Sequence, residues 1–497
     1  PRGITDKILA QRDKIEGEHK QVTVMFCDIV GFTPIVDKLG SEDAYLIMDE
    51  IYEILIHKVR NYEGTVNEMT GDGIMALFGA PISLEDAPQR AIRAGLSIHR
   101  EMARFSEKIR GGAKLPPIQM RIGIHTGPVV VGTLGNDLRV EFKAVGDTVN
   151  LASRMERLAE PGVIYVTEEM FKITEGFFRF ETLGEKAVKG KEEKIKVYRV
   201  IAPSTRRTRF DVIAERGLTP FVGRELELEL LLDCFERTKE GRGQTFSIVA
   251  EAGVGKSRLL YEFRKAVANE VVTFLEGKCL SFSKGVAYHP IVDILKSDFN
   301  IHDDDSDLKI KEKVKKGLNI LKVDEVSTLP YLLELLSVKE SGIDKVPMSP
   351  EARKDRIIEA LNRIILNGSE IQPLIIAIED LHWTDKGSVE CLRHLSESIS
   401  GAAVFLIFTY RPDFVPTWTG RSYYSQVILN RLSNRECMVM VTSLLGAEKV
   451  DNILEKLILE KAEGVPFFIE EFIKSLKDLK MIERKEDGYQ LAKISRK

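Results

Sequence analysis

Residues 22–27 (VTVMFC) form an apolar run of strand character that leads straight into Asp28, and beyond it the chain alternates between two periodicities. Apolar positions recurring on a 3.6-residue stripe predict an amphipathic helix over about 34–60. Paired strands follow at about 64–69 and 73–79, then a helix at 85–108, a strand at 118–125, and further strands leading to a helix that starts near 148. Alternation of this kind implies an α/β fold with helices layered on a sheet.

Residues 1–20 are charged and helix-prone, which predicts a lead-in helix ahead of a folded unit at 21–201. Over 203–217 (PSTRRTRFDVIAERG) the periodicity fades and arginines cluster, so 202–217 read as a linker. A second unit opens at 218 with LTPFVGRELELELL, an amphipathic helix pattern. At 244–263 it continues as a buried strand, a loop of small residues and a helix. Its core is predicted to run over 218–420, with a helical extension over 421–497.

The candidate chemistry lies between these elements. Asp28 stands in FCDIVGFT (26–33) and Asp72 in TGDGIMALFG (70–79), each after an apolar run of strand type. Both carboxylates are therefore expected at strand ends, where oxygen ligands can hold magnesium or manganese against a polyphosphate. A lone Asp-Gly pair would signal only a turn. Here the two frames are joined by HTGPVVVGTLG (125–135), GDTVNLASRME (146–156) and VKGK (188–191).

In that order and at that spacing, the five frames resemble class III nucleotidyl cyclase catalytic domains over roughly residues 20 to 201. The resemblance implies a ferredoxin-like βαββαβ core and a reaction in which a ribose 3′ hydroxyl attacks the α-phosphorus of a purine nucleoside triphosphate while pyrophosphate leaves. It implies two Mg2+ or Mn2+ ions per site, held by Asp28, Asp72 and the backbone carbonyl of Ile29. The amides from Val30 through Phe32 to Thr33 would cradle phosphate oxygens. Asn150 and Arg154, four apart on one helix face, would steady the ribose and the transition-state phosphate. Lys189 is the candidate for the triphosphate tail, with Lys191 behind it. Sites of this family form between two such domains, so a chain with one domain is expected to work as a homodimer.

Base choice departs from the family pattern. Three residues before Gly71 adenine readers carry Lys, whereas this chain has Glu68, the type found in guanine readers. Three residues before Gly146 adenine readers carry Asp or Thr, whereas this chain has Lys143. The pair can meet guanine, or adenine with roles exchanged, or each other. The residues lean towards GTP, whereas the resemblance of the whole chain to bacterial cyclases joined to an ATPase unit leans towards ATP and cyclic AMP; ATP is kept ahead. A reading from another class treats the chain as a nucleotide-dependent switch with a non-catalytic cyclase fold.

A second nucleotide site is written into AEAGVGKS (250–257), which fits a Walker A frame with Ala250 at the first glycine position. Gly253 and Gly255 let backbone amides nest the phosphates, Lys256 reaches the β and γ phosphates, and Ser257 can ligand Mg2+. The strand of PLIIAIEDLHWTD (373–385) ends in Walker B acids, with Asp380 read as the Mg2+ partner by way of water and Glu379 as a water activator. Arg411, after VFLIFTY (404–410), resembles a sensor arginine. Pro466 in GVPFFIEEF (464–472) resembles the Gly-x-Pro motif of signal-transduction ATPases, in which proline approaches the adenine. Residues 218–480 thus resemble an AAA-like (STAND-type) signalling ATPase that binds ATP with Mg2+ and answers to an unidentified regulatory protein.

Composition narrows the alternatives. At 497 residues the chain exceeds one ordinary core, and 43% hydrophobic with 30% charged residues is a soluble globular balance. No apolar stretch approaches the roughly 18 residues of a membrane span, and no basic segment precedes an apolar run at the start, so a cytoplasmic protein is expected. A formal charge of −4 gives no reason to expect nucleic-acid binding. The five cysteines lack CxxC spacing, which points to buried thiols and away from zinc or a disulfide framework. The chain opens on Pro1 and not Met, the start expected of a fragment.

Overall fold

A computed structural model describes residues 18–30, 40–84, 86–110, 117–136, 139–187, 194–204, 217–280, 287–302, 305–338, 341–343, 348–447, 449–485 and 488–492. The chain divides into two compact units, Pro1–Arg216 and Gly217–Lys497.

The first unit is built on β1 (Glu18–Val30), α1 (Ser41–Asn61), β2 (Thr65–Met69), β3 (Gly73–Phe78), α2 (Ala87–Arg110) and β4 (Gln119–Asn136). This is the βαββαβ core, with strand order β2-β3-β1-β4. Beyond it come β5 (Arg139–Val145), α3 (Asp147–Leu158), β6 (Val163–Thr167), α4 (Glu168–Thr174), β7 (Phe178–Lys186) and β8 (Ile195–Pro203), with β6, β8 and β7 extending the sheet and β5 pairing with β4. The lead-in helix expected over 1–20 falls outside the described residues up to 17. From Glu18 the backbone is strand, because Glu18–Lys20 pair with Val129–Val131 of β4.

Side-chain alternation in β1 decides which face carries chemistry. Met25, Cys27 and Ile29 enter the core beneath α1, α2 and α4, together with Ile51, Leu55, Ile92, Ile98 and Met170. Val22 and Val24 point to the other face and pack with Ala152 of α3. Asp28 falls in register with the second set, so it opens on the α3 face. All five cysteines are free and buried, as expected.

The second unit has a five-stranded parallel sheet in the order β10-β11-β12-β9-β13. Its elements are α5 (Glu225–Lys239), β9 (Gln244–Val249), α6 (Lys256–Ala266), β10 (Thr273–Lys278), α7 (His289–Asp298), α8 (Asp307–Ile320), α9 (Glu325–Leu335), α10 (Pro350–Ile371), β11 (Leu374–Glu379), α11 (Lys386–Ser398), β12 (Val404–Tyr410) and β13 (Tyr424–Ile428). Strands β9, β11 and β12 are buried at every position, as parallel strands covered on both faces must be. Helices α5 and α6 cover one face, and α11 with parts of α7 and α10 the other. α12 (Asn434–Leu445), α13 (Asn452–Ala462) and α14 (Pro466–Asp478) close on a hairpin of β14 (Ile482–Lys485) and β15 (Gly488–Leu491). The region expected as a helical extension therefore also contributes a sheet strand, β13, which pairs with β9. Among the described residues, no helix is long and apolar enough to cross a membrane.

Candidate active site and nucleotide site

Asp28 sits in the middle of three strands, directly opposite Gly73 on β3 and Arg121 on β4. The glycine is required by the approach. A Cβ at position 73 would lie 2.0 Å from the Cys27 carbonyl oxygen, so only a residue without one lets the β2–β3 turn close over β1. That closure brings Asp72 to Asp28, with the Ile29 amide donating to the Asp72 carbonyl at 2.9 Å. The Asp72 carboxyl comes close enough for its charge to act on Asp28. Burial raises the Asp28 pKa; Arg121 pulls it back and the Asp72 charge raises it again. Asp28 thus lies two residues from the end of β1, and Asp72 immediately precedes β3, so both stand near strand ends as the sequence predicts.

The guanidinium of Arg121 donates from Nη2 to Asp28 Oδ2 at 2.5 Å, and its Nε stands 3.4 Å from Glu156 Oε1 on α3. Neither Arg121 nor Glu156 is given a role by the sequence reading, although Glu156 closes the 146–156 frame. Glu156 is buried, and burial together with the Asp28 charge pushes its pKa up to about 7, against the pull of Arg121. The helix is seated by glycines on β4: a Cβ at Gly123 would lie 1.9 Å from the Glu156 nitrogen, and one at Gly127 would lie 2.6 Å from Thr148 Oγ1. The Thr148 hydroxyl donates to the Pro128 carbonyl at 2.8 Å.

On the same helix Asn150 is exposed, and Arg154 has a buried Nη1 with no hydrogen-bond partner. Among the described residues no hydrogen bond or ion pair joins either of them to Asp28 or Asp72. Glu68 is exposed on β2, just past a bulge at Asn67. Lys143 lies on β5 opposite Gly132, and its side chain is outside what is described. Phe32, Thr33, Lys189 and Lys191 also lie outside the described residues.

Among the described residues no group of three or more His, Cys, Asp or Glu side chains could hold a metal ion. Asp28 and Asp72 nevertheless fit a divalent cation. Two neighbouring carboxylates repel unless a proton or a cation offsets their charge, and oxygen-only sites of one or two carboxylates completed by water and phosphate suit magnesium.

In the second unit the loop between β9 and α6 turns through Gly253 (φ 79°) and Gly255 (φ 116°), left-handed conformations that side chains resist. Lys256 Nζ donates to the carbonyls of Ala250 at 2.7 Å and Glu251 at 3.1 Å. Burial lowers its pKa, with Asp380 opposing and Arg411 assisting. Ser257 Oγ donates to Glu379 Oε2 at 2.5 Å. Of the two Walker B acids it is the buried Glu379 that adjoins Ser257, whereas the sequence reading set Asp380 as the Mg2+ partner. Asp380 follows in a left-handed conformation (φ 59°), its amide donating to Thr409 Oγ1 at 3.0 Å, which turns it off the strand. Arg411 lies over the Trp383 ring at 5.7 Å. Pro466 opens α14, and the Phe467 amide donates to the Gly253 carbonyl at 3.3 Å, so the Gly-x-Pro segment rests on the phosphate loop.

A ferredoxin-like sheet with paired aspartates at β1 and the β2–β3 turn, followed by a parallel sheet with Walker A and B elements, defines a nucleotidyl cyclase domain joined to a P-loop ATPase. Residues 15–202 match the family described as the adenylate and guanylate cyclase catalytic domain, 220–407 the AAA ATPase domain, and 433–489 a domain of unknown function. Residues 15–202 are thus a class III adenylate/guanylate cyclase catalytic domain, and residues 220–407 an AAA ATPase domain. An uncharacterized protein, R02095, of Rhizobium meliloti (strain 1021) is 25% identical over 464 residues, covering 92% of this chain and 44% of its own length. Adenylate cyclase 1 of the same organism is 31% identical over 191 residues, 37% of this chain and 28% of its own. The crystal structure of the adenylyl cyclase CyaB from P. aeruginosa aligns at 29% identity and a TM-score of 0.38, covering 39% of this chain and all of that one. The chain spans less than half the length of these two curated relatives.

Proposed function

We propose that the first unit converts ATP to cyclic AMP and pyrophosphate in a homodimer, under control of the nucleotide state of the second unit. The observation that carries the reading is the convergence of Asp28 of β1, Asp72 of the β2–β3 turn and Arg121 of β4. Two divalent ions at Asp28 and Asp72, with the Ile29 carbonyl as a further ligand, would lower the pKa of the ribose 3′ hydroxyl and draw charge from the triphosphate. Arg121 is a cation beside them, suited to phosphate oxygens in bidentate fashion. Among the described residues Asn150 and Arg154 make no hydrogen bond or ion pair to Asp28 or Asp72, and in the homodimer reading they would serve the aspartates of the second copy. The 3′ oxygen forms its bond to the α-phosphorus as the bond to pyrophosphate breaks, and the hydroxyl proton leaves to solvent.

A second reading, GTP to cyclic GMP, is favoured by one observation: an exposed Glu68, able to accept from the two donors of guanine. In the second unit the reading is an ATP switch in which Ser257 and Glu379 would hold Mg2+ against the phosphates. The test is product formation by the chain with Mn2+ and either ATP or GTP, resolved by chromatography. One dominant cyclic nucleotide, lost in Asp28→Ala, is the expected result. No product from either substrate overturns the enzymatic reading and favours a non-catalytic switch.

A further inference from the structure

We propose that Glu156 is a positioning residue of the cyclase site, the alternative acceptor that takes the Arg121 guanidinium when a divalent cation claims Asp28. The inference rests on the metal-dependent reading above and deepens it. Arg121 has two carboxylates within reach, Asp28 at 2.5 Å and Glu156 at 3.4 Å, and only the first is a hydrogen bond. Arg121 Nε and Glu156 Oε1 are both buried and both lack a hydrogen-bond partner. Orphaned buried groups of this kind are costly, and here donor and acceptor stand 3.4 Å apart with the N–H not aligned on the oxygen, so a turn of the guanidinium would pair them.

The backbone keeps them there. Arg121 and Gly123 share a face of β4, and Gly123 lets α3 settle with the Glu156 nitrogen where a Cβ would otherwise be. Glu156 is therefore fixed at the strand, whereas the long arginine side chain can turn. A cation bound at Asp28 competes with the guanidinium for the same carboxylate. Glu156 lowers the cost of that exchange by offering Arg121 a second ion pair, and holds the guanidinium at the site, where phosphate oxygens would arrive.

The experiment is a Mn2+ titration of the nucleotide-free full chain followed by electron paramagnetic resonance, with Asp28→Asn as the blank for other sites. Glu156→Gln should weaken Mn2+ binding roughly tenfold, the scale of residues that orient metal ligands. Glu156→Asp should recover part of the loss. Loss of a negative charge alone would weaken binding too, so the decisive comparison is made in Arg121→Met. There Glu156→Gln should have less than half its effect on a logarithmic scale, because the competitor is gone. An equal effect in both backgrounds, or none in either, overturns the proposal. Wild-type binding no greater than the blank would overturn the metal site and this inference together, whereas coupled binding without product would overturn only the proposed reaction.

Discussion

Gly73→Ala tests how the metal site is built. The alanine Cβ would start 2.0 Å from the Cys27 carbonyl oxygen and 2.9 Å from the Asp28 Cα, where real Cβ contacts essentially never fall below 3.0 Å. Both obstacles are backbone of the central strand, so no rotamer change relieves them. The hairpin must move off β1 by roughly 1 Å, and Asp72, the adjacent residue, moves with it. Overpacking of this kind costs about 1–3 kcal/mol, a few degrees in the unfolding temperature of a unit of this size. A reacting group displaced by about 1 Å costs on the order of 100-fold in rate. The assay is Mn2+-dependent cyclic nucleotide formation beside thermal unfolding, with Gly401→Ala as control because nothing lies within 4 Å of its Cβ. Activity within about twofold of the parent, in a stable Gly73→Ala protein, would refute the claim that this close approach positions Asp72.

Two further predictions concern other parts of the molecule. His99 on α2 has its pKa lowered to about 4 by burial, so the folded unit stays neutral there while the unfolded chain takes a proton near the ordinary value of about 6.5. Its contribution is intact above that value and falls as pH drops towards 4, by at most about 3 kcal/mol; urea unfolding at both ends of the window should show a shallower fall for His99→Leu than for the parent. In the second unit, Glu379→Gln should weaken Mg2+-dependent ATP binding roughly tenfold, while Asp380→Asn, which tolerates the left-handed backbone, should keep that binding and slow phosphate release. Calorimetric titration with and without Mg2+ separates the two, and the reverse pattern would restore the order read from the sequence.

The paired aspartates, the phosphate loop and the succession of strands and helices were legible because each is local: an apolar period broken by a glycine-framed acid. Arg121 was not, since it lies 93 positions from Asp28 and meets it only through the antiparallel register of β1 and β4. The HTG frame that follows Arg121 gave the strand, but nothing nearby says which carboxylate the arginine faces. Glu156 closes the frame that carries Asn150 and Arg154, and its own part depends on how closely Gly123 lets the helix sit. The order of Glu379 and Asp380 turns on a single backbone angle at Asp380. β13 escaped because Tyr424–Ile428 is short and half-exposed, and its place is fixed by an edge of β9 that local pattern does not reveal.

The contact between Phe467 and Gly253 bears on how the chain can be divided. The match to the ATPase family stops at 407, yet the roof over the phosphate loop is supplied by residues 464–467, and Gly464 is itself tied to Leu432, whose amide donates to its carbonyl at 2.8 Å. A fragment cut at the family boundary would keep every Walker residue and lose the surface that closes over them. The smallest piece that can be expected to hold a nucleotide on its own reaches at least the end of α14 at Asp478, and a shorter one would expose the apolar sides of Val465 and Phe467's neighbours on the loop to water.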